Sequence, residues 1–436
     1  MKIALLGYGV QGQSAYTYWS RDPANEITIC EQNEQFVGPE GVATQLGPDH
    51  LKNLDEFDLL VRAPSVHPRD LVAANGPAIL HKVTSVTNEF MRVCPSLNII
   101  GVTGTKGKGT TSTLIASMLK AAGKTVHLGG NIGIAPLDML FNKIQPDDWV
   151  VLELANFQLI DLQKSPHIGV CLMVVPEHLN WHKDLQEYIM AKQQLFATQT
   201  SDDIAIFYAD NENSKTVASA GQATKIPFMA PPGAVVVGDG IAIDGQAICK
   251  LSEIKLLGEH NWQNVCAALT AVWQVTQDVA ALHKAISEFE GLPHRLEPVR
   301  KLGDVTFYND SFAATPEAAI AAVEAIKGTK VLIAGGFDRM LPLEGFAQSI
   351  AKNASDLRKV VLIGQSGQRV ADALSTAGYT NFVISDAKTM PEIVAFARTL
   401  AQPGDSIVLS PGFPSFDMFK NFEERGLEYK AAVNAL

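Results

Sequence analysis

Three segments of the sequence open in the same way, with a short apolar run, a turn containing glycine and then a helix with one apolar face. The runs are Lys2–Leu6, residues 98–102 and residues 330–334. An unbroken apolar run bounded by a turn is how a strand covered on both faces reads, and strands alternating with helices build parallel sheets. The chain is therefore expected to be α/β, with a separate sheet behind each opening. Its 436 residues agree, because a single core rarely grows past ~250–300 residues.

A helix ending near Phe90 gives way to Cys94-Pro95-Ser96, which sets the first boundary near residues 92–95; the second falls near residues 291–295. The expected domains are 1–93, 94–293 and 294–436. In the middle one, residues 233–250 alternate apolar residues around Gly238-Asp239-Gly240 and Asp244-Gly245. That is hairpin turn chemistry, so a small antiparallel addition is expected there.

Charge and composition exclude several classes of function. With 35 Lys+Arg against 46 Asp+Glu the net charge is −11, which repels nucleic acid and anionic membrane unless basic residues cluster. No apolar run approaches the ~20 residues of a membrane helix, and the start Met1-Lys2-Ile3-Ala4 lacks the pattern of a signal peptide. A cytoplasmic protein without nucleic-acid or membrane partners is expected. Cys30, Cys94, Cys171, Cys249 and Cys266 are odd in number and widely spaced, so they read as reduced, apolar thiols.

The second opening carries the strongest chemical signal. Residues 98–102 lead into Thr103-Gly104-Thr105-Lys106-Gly107-Lys108-Gly109-Thr110, then a stripe of Leu114, Ile115, Met118 and Leu119 closed by Gly123. Glycines let the backbone turn its N–H groups toward a phosphate at the helix N-terminus, where the helix dipole also favours an anion. Lys108 would neutralise charge and Thr110 would ligate Mg²⁺. The strict pattern GxxxxGK[ST] fails twice, with Val102 in place of the first glycine and Gly109 at the Ser/Thr position. The alternative is an ordinary strand-to-helix turn, which seldom needs three glycines and two lysines in six positions. Residues 149–152 are a second buried strand, ending at Glu153, where a carboxylate can meet a metal.

Beyond the loop, Asn131-Ile132-Gly133, residues 153–158 (Glu-Leu-Ala-Asn-Phe-Gln) and Pro176-Glu177-His178-Leu179-Asn180 follow in an order and spacing that resemble the Mur ligases. Gly258-Glu259-His260-Asn261, Gly291-Leu292-Pro293-His294-Arg295, Asn309-Asp310-Ser311 and residues 416–426 extend the resemblance over nearly the whole chain. They point to the branch that adds D-glutamate to UDP-N-acetylmuramoyl-L-alanine in peptidoglycan synthesis. The resemblance implies a Rossmann-like N-terminal domain for the UDP substrate, a central P-loop ATPase domain and a Rossmann-like C-terminal domain for the amino acid. It also implies an ADP-forming ligase working through an acyl phosphate, a monomer whose partners are small-molecule substrates.

Such a reaction crowds negative charge onto one spot, so cations are needed between ATP and the acceptor carboxylate. The resemblance assigns Mg²⁺ contacts to Thr110, Glu153 and His178, and nucleotide or phosphate contacts to residues 104–110, Asn261, Asn264, Arg295 and Asp310, with Arg295 at the hinge into the third domain. Lys192 falls inside an apolar helical stripe of Leu185, Tyr188, Ile189, Leu195 and Phe196 within residues 182–199. From position alone it reads as a snorkelling lysine. The resemblance makes it a carbamylated lysine, an anionic carbamate that holds the second Mg²⁺, and an apolar setting favours the neutral, reactive amine.

In the first domain, Gly7-x-Gly9-x-x-Gly12 with Glu31 after the next strand would alone suggest NAD. The resemblance reassigns it to the uridine diphosphate, with Gln11 and Glu31 nearby and Asn131 on the sugar-peptide; a purely structural turn remains the alternative. The chain departs from the family pattern at Lys106, Gly109 and Ala155-Asn156, and near the amino acid at residues 310–315 and Gly335-Gly336-Phe337-Asp338-Arg339. Arg339 offers a bidentate grip on a carboxylate, while Ser415 and Phe422 match the rest of the glutamate pocket. L-Glutamate, and a folylpolyglutamate synthase-like reaction, stand as alternatives. A dinucleotide-dependent oxidoreductase explains the first glycines but leaves residues 104–110, Glu153 and Lys192 unused, and a non-catalytic binding protein leaves all of them idle.

Overall fold

The computed structural model describes all 436 residues and divides them into two compact units, Met1–Ile254 with Glu259–Phe289, and Lys255–Gly258 with Glu290–Leu436. The first unit holds two parallel sheets. One has five strands in the order Ala43–Leu46, Glu26–Glu31, Lys2–Leu6, Leu59–Arg62, Val83–Thr84. The other has six, ordered Thr224–Phe228, Ile204–Tyr208, Ile168–Cys171, Ile99–Thr103, Trp149–Glu153, Val126–Gly130. The antiparallel addition is present as Val235–Val237, Gly240–Ile243 and Gln246–Lys250.

The second unit is built on six strands, ordered Glu297–Leu302, Val305–Asn309, Ser406–Leu409, Lys330–Gly335, Leu357–Ile363, Phe382–Ile384. All pair in parallel except the first, an antiparallel edge strand joined to its neighbour through Asp304. The α/β expectation holds in each unit.

In each parallel sheet the chain order reverses direction beside the strand that precedes a glycine turn: Lys2–Leu6, Ile99–Thr103 and Lys330–Gly335. Loops diverge there at the carboxyl ends of the strands and leave a crevice, the usual ligand position in such sheets. The core strands are apolar throughout, with Ile100, Val102, Val150, Val151 and Leu152 wholly buried, as covering on both faces requires.

The helix expected over residues 182–199 is shorter, Leu185–Gln193. Beyond it the chain tightens into i to i+3 bonds, Leu195 N to Lys192 O at 3.1 Å and Phe196 N to Gln193 O at 2.9 Å. This turn drives Phe196 onto the strand at Gly169, where any Cβ would collide with its ring. Lys192 thus sits in the last turn of the helix, with Leu195 and Phe196 buried beyond it.

Candidate active site

The central crevice is shaped by the turn after Ile99–Thr103. Gly107 is the N-cap of the helix Lys108–Ala121, with φ of 89°, a left-handed conformation that favours glycine. A side chain there would run into Asn264. Lys108 is folded over the turn, its Nζ donating to Gly104 O at 3.1 Å and Thr105 O at 2.9 Å. Thr110 and Gly109 are buried in the first helical turn, and Lys106 is exposed. Thr105 is tied down by Val175 N at 3.0 Å and by the Tyr188 hydroxyl at 3.0 Å. Asn264 reaches the same place from the helix His260–Trp273, accepting from Thr111 Oγ1 at 3.4 Å and donating to Asn261 Oδ1 at 2.8 Å.

Glu153 ends the strand beside this turn and is 5% exposed. Its Oε1 accepts from Asn131 Nδ2 at 2.9 Å. Asn131, matched to the sugar-peptide by resemblance, here orients the carboxylate. His178 has φ of 57° and lies against the Phe157 ring at 4.8 Å. Burial lowers its pKa, and Lys108 and Lys192 lower it further while Glu177 opposes them.

Lys192 has no exposed surface. Its Nζ donates to Gly104 O at 2.9 Å, lies 3.5 Å from Thr103 Oγ1 and sits 4.5 Å from the Tyr188 ring centre. Burial, and secondarily Lys108, bring its pKa down to about 7. A large share of the amine is therefore neutral near neutral pH, and the ammonium does not snorkel.

At the first crevice a Cβ on Gly12 would strike the Gly7 carbonyl, so the helix Val10–Trp19 starts hard against the turn. Glu31 accepts from Tyr8 N and Gln32 N, both at 2.9 Å, and shapes the same turn. Gln11 Oε1 is buried without a hydrogen-bond partner.

A scan of family models matches the Mur ligase middle domain over residues 102–272 and the Mur ligase glutamate ligase domain over residues 294–413. UDP-N-acetylmuramoylalanine–D-glutamate ligase from Acetivibrio thermocellus is 36% identical over 100% of this chain and 96% of its own length. The enzyme of the same name from Symbiobacterium thermophilum is 37% identical, covering 100% and 98%. The chain belongs to the Mur ligase family. Among solved structures, MurF from Acinetobacter baumannii superposes with a TM-score of 0.62 at 16% identity, over 99% of this chain and 93% of that one. MurF from Thermotoga maritima in complex with ADP gives 0.59 at 16% identity, over 99% and 95%, again a likeness of fold.

In the second unit of this Mur ligase, Asp310 and Ser410 directly follow two neighbouring strands, and Gly335 ends the next. Asp310 is 5% exposed, accepting from Ser410 Oγ at 2.6 Å and Leu296 N at 3.1 Å. Burial raises its pKa to about 7 against the pull of Arg295 and Arg425. Arg295 lies over the Phe312 ring at 4.6 Å, and Phe312 meets Phe422 edge to face at 5.1 Å. Arg339 is exposed and 6.0 Å from the Phe416 ring centre, and Ser415, the residue before Phe416, is buried.

Sequence reasoning missed two residues of this Mur ligase that the fold makes prominent. Arg425, 1% exposed, donates to Ser311 Oγ, Ser311 O and Phe413 O at 2.8–3.0 Å and ties together loops more than 100 residues apart in sequence. Arg62 does the same between the two sheets of the first unit. Arg62 stands in no motif, and a lone arginine at the end of an apolar strand was its only signal; Arg425 lies within residues 416–426, which carried the resemblance without giving it a role.

Proposed function

We propose that this Mur ligase adds D-glutamate to UDP-N-acetylmuramoyl-L-alanine, forming an amide with ATP consumed to ADP and phosphate. Likeness to D-glutamate ligases over the full chain, at 36–37% identity, carries this reading. The donor set at the central crevice fits it: a glycine turn that a Cβ would fill, a lysine folded on that turn, and at its edge a buried carboxylate and a half-buried imidazole.

In this reading the domains are 1–93, 94–293 and 294–436, for the UDP-sugar, ATP and the amino acid. ATP supplies the phosphoryl group that makes the acceptor carboxylate an acyl phosphate, and Mg²⁺ supplies the positive charge that lets the anions meet. Thr110, Glu153 and His178 are the residues to hold one ion. Lys192, once carbamylated, is the residue to hold the second. Asn131 keeps the Glu153 carboxylate in one orientation, and Asn261 and Asn264 brace the phosphate turn. Lys108 and the helix N-terminus face the nucleotide phosphates.

Gln11 and Glu31 serve the uridine diphosphate; the orphaned Gln11 Oε1 is an acceptor awaiting a donor. Arg295 and Asp310 contact the nucleotide or the transferred phosphate, and Arg339, Ser415 and Phe422 receive glutamate. The reading carries a monomeric cytoplasmic enzyme with small-molecule partners only; no helix is long and apolar enough to cross a membrane.

The test is phosphate release with ATP, Mg²⁺ and UDP-N-acetylmuramoyl-L-alanine, offering D-glutamate, L-glutamate and D-aspartate in parallel. Turnover with D-glutamate alone supports the reading. Turnover that needs neither the UDP substrate nor an amino acid refutes it.

A further inference from the structure

One loop is fastened to both crevices of the first unit. Residues 63–67 follow the strand Leu59–Arg62, and a Cβ on Gly7 would touch Ala63 at 3.0 Å and Ser65 Oγ at 3.4 Å, so the loop walls the Gly7–Gly12 turn. Its first end is held by Arg62, 1% exposed. Arg62 grips Asp161 bidentately, Nε to Oδ2 at 2.7 Å and Nη2 to Oδ1 at 2.6 Å, and donates to Phe157 O at 2.9 Å. Its Nη1 donates to Ala63 O at 3.2 Å and Val66 O at 2.8 Å. All five guanidinium donors are thus used, on the loop itself and on the turn just after Glu153.

The other end is His67, which caps the helix Pro68–Asn75 by accepting from Arg69 N at 3.0 Å through Nδ1. That bond leaves the proton on Nε2, which faces Glu187 Oε2 at 3.5 Å, while the ring lies on Trp181 at 4.1 Å. Glu187 also faces His182 Nδ1 at 3.2 Å, and His182 Nε2 meets Asn156 Nδ2 at 2.7 Å. The ligating atoms of His67, His182 and Glu187 lie within 4.8 Å of one another. With its proton on Nε2, His67 offers no lone pair there, so the cluster is a polar junction, hydrogen-bonded through His182 and packed through the His67 ring, and not a metal site.

Both ends therefore land on the segments that flank Glu153 and His178. A buried ion pair is weak evidence for stability, and its best-attested use is to fix one geometry. We propose that Arg62 and His67 are positioning residues: they set the distance and angle between a UDP-sugar at the first sheet and the phosphate turn of the second. This rests on the ligase reading. The Gly7–Gly12 turn and the phosphate turn each sit between a strand and a helix of their own sheet, so loosening the bridge should slow the step that needs both far more than it weakens binding at either one.

The test compares wild type with His67→Asn and Arg62→Lys. Asn is among the best N-caps, so His67→Asn keeps the helix start and removes only the ring. Measured are kcat for phosphate release, calorimetric binding of ADP and of UDP-N-acetylmuramoyl-L-alanine separately, and the melting temperature. Expected is a fall in kcat of about tenfold for His67→Asn and about 100-fold for Arg62→Lys, the scale of a misplaced reactant. Both dissociation constants should stay within about twofold of wild type. Should Arg62→Lys not fold, His67→Asn decides alone. A folded variant with wild-type kcat overturns the proposal, as does a fall in kcat matched by an equal loss of either affinity. Wild type without turnover dependent on the UDP substrate overturns the ligase reading, and this proposal with it.

Discussion

Lys192 and Lys330 are the two lysines with no exposed surface, and they lie at opposite kinds of place in a sheet. Lys192 is beside the carboxyl ends of the central strands, its Nζ on the carbonyl of Gly104 in the phosphate turn. Lys330 opens the strand Lys330–Gly335, at the amino ends, and its buried Nζ has no hydrogen-bond partner. Burial lowers the pKa of both. The same desolvation therefore means two things. Where loops diverge, a neutral amine is placed to meet a ligand; at the closed end of a sheet it is a cost to stability. A perturbed pKa identifies a site only together with its position in the fold.

The largest effect separating the two is on turnover. Lys192→Ala should lower kcat on the order of 10²–10³-fold, the scale of losing one group that stabilises developing charge. A short carboxylic acid added to the assay should restore part of the rate, standing in for the carbamate proposed on Lys192. Full activity in the variant without additive would remove Lys192 from the reaction.

Asp310 extends the comparison to an acid at the ligand end of the second unit. Its folded pKa is raised to about 7 from 3.8. Below the lower value both folded and unfolded chains hold the proton, and the stability contributed is full; it is lost as pH rises through about 7. Asp310→Asn stays neutral and keeps an acceptor for Leu296 N. Its urea midpoint should gain on wild type as pH rises from about 4 to about 7 and hold that gain above, while kcat falls about tenfold if the charge serves the transferred phosphate. A midpoint difference that does not change with pH would show that the carboxyl is ionised throughout.

Much of this was legible in the sequence for local reasons. The turn at residues 104–110, the three strand openings and the hairpin addition are set by neighbours in the chain, and each lies where its spacing put it. Lys192 was marked by falling within an apolar stripe. Arg62 with Asp161, 99 residues apart, and His67 with Glu187, 120 apart by residue number, were not legible. Those pairs exist only once two sheets pack, and no local pattern encodes which turn will face which. The edge strand Glu297–Leu302 was missed because Pro298 and alternating charges weaken its strand pattern, a composition suited to a sheet edge.

The smallest expected effect returns to Lys330. Lys330→Met keeps the length of the stem and removes an amine that makes no hydrogen bond, so it should stabilise the protein by about 1–3 kcal/mol, the usual penalty of an unsatisfied buried polar group. Activity should be unchanged, since Lys330 is at the end of the sheet away from the loops. The gain should also depend on pH. The unfolded lysine holds its proton up to about pH 10, whereas the folded one releases it earlier, Asp356 only partly opposing the desolvation. Over that interval the unfolded state binds more protons, so wild type becomes more stable as pH rises and the advantage of the variant narrows. Urea midpoints of both proteins across the alkaline range measure this. An advantage that widens with pH would mean that Lys330 stays charged and finds a partner, and the contrast with Lys192 would fail.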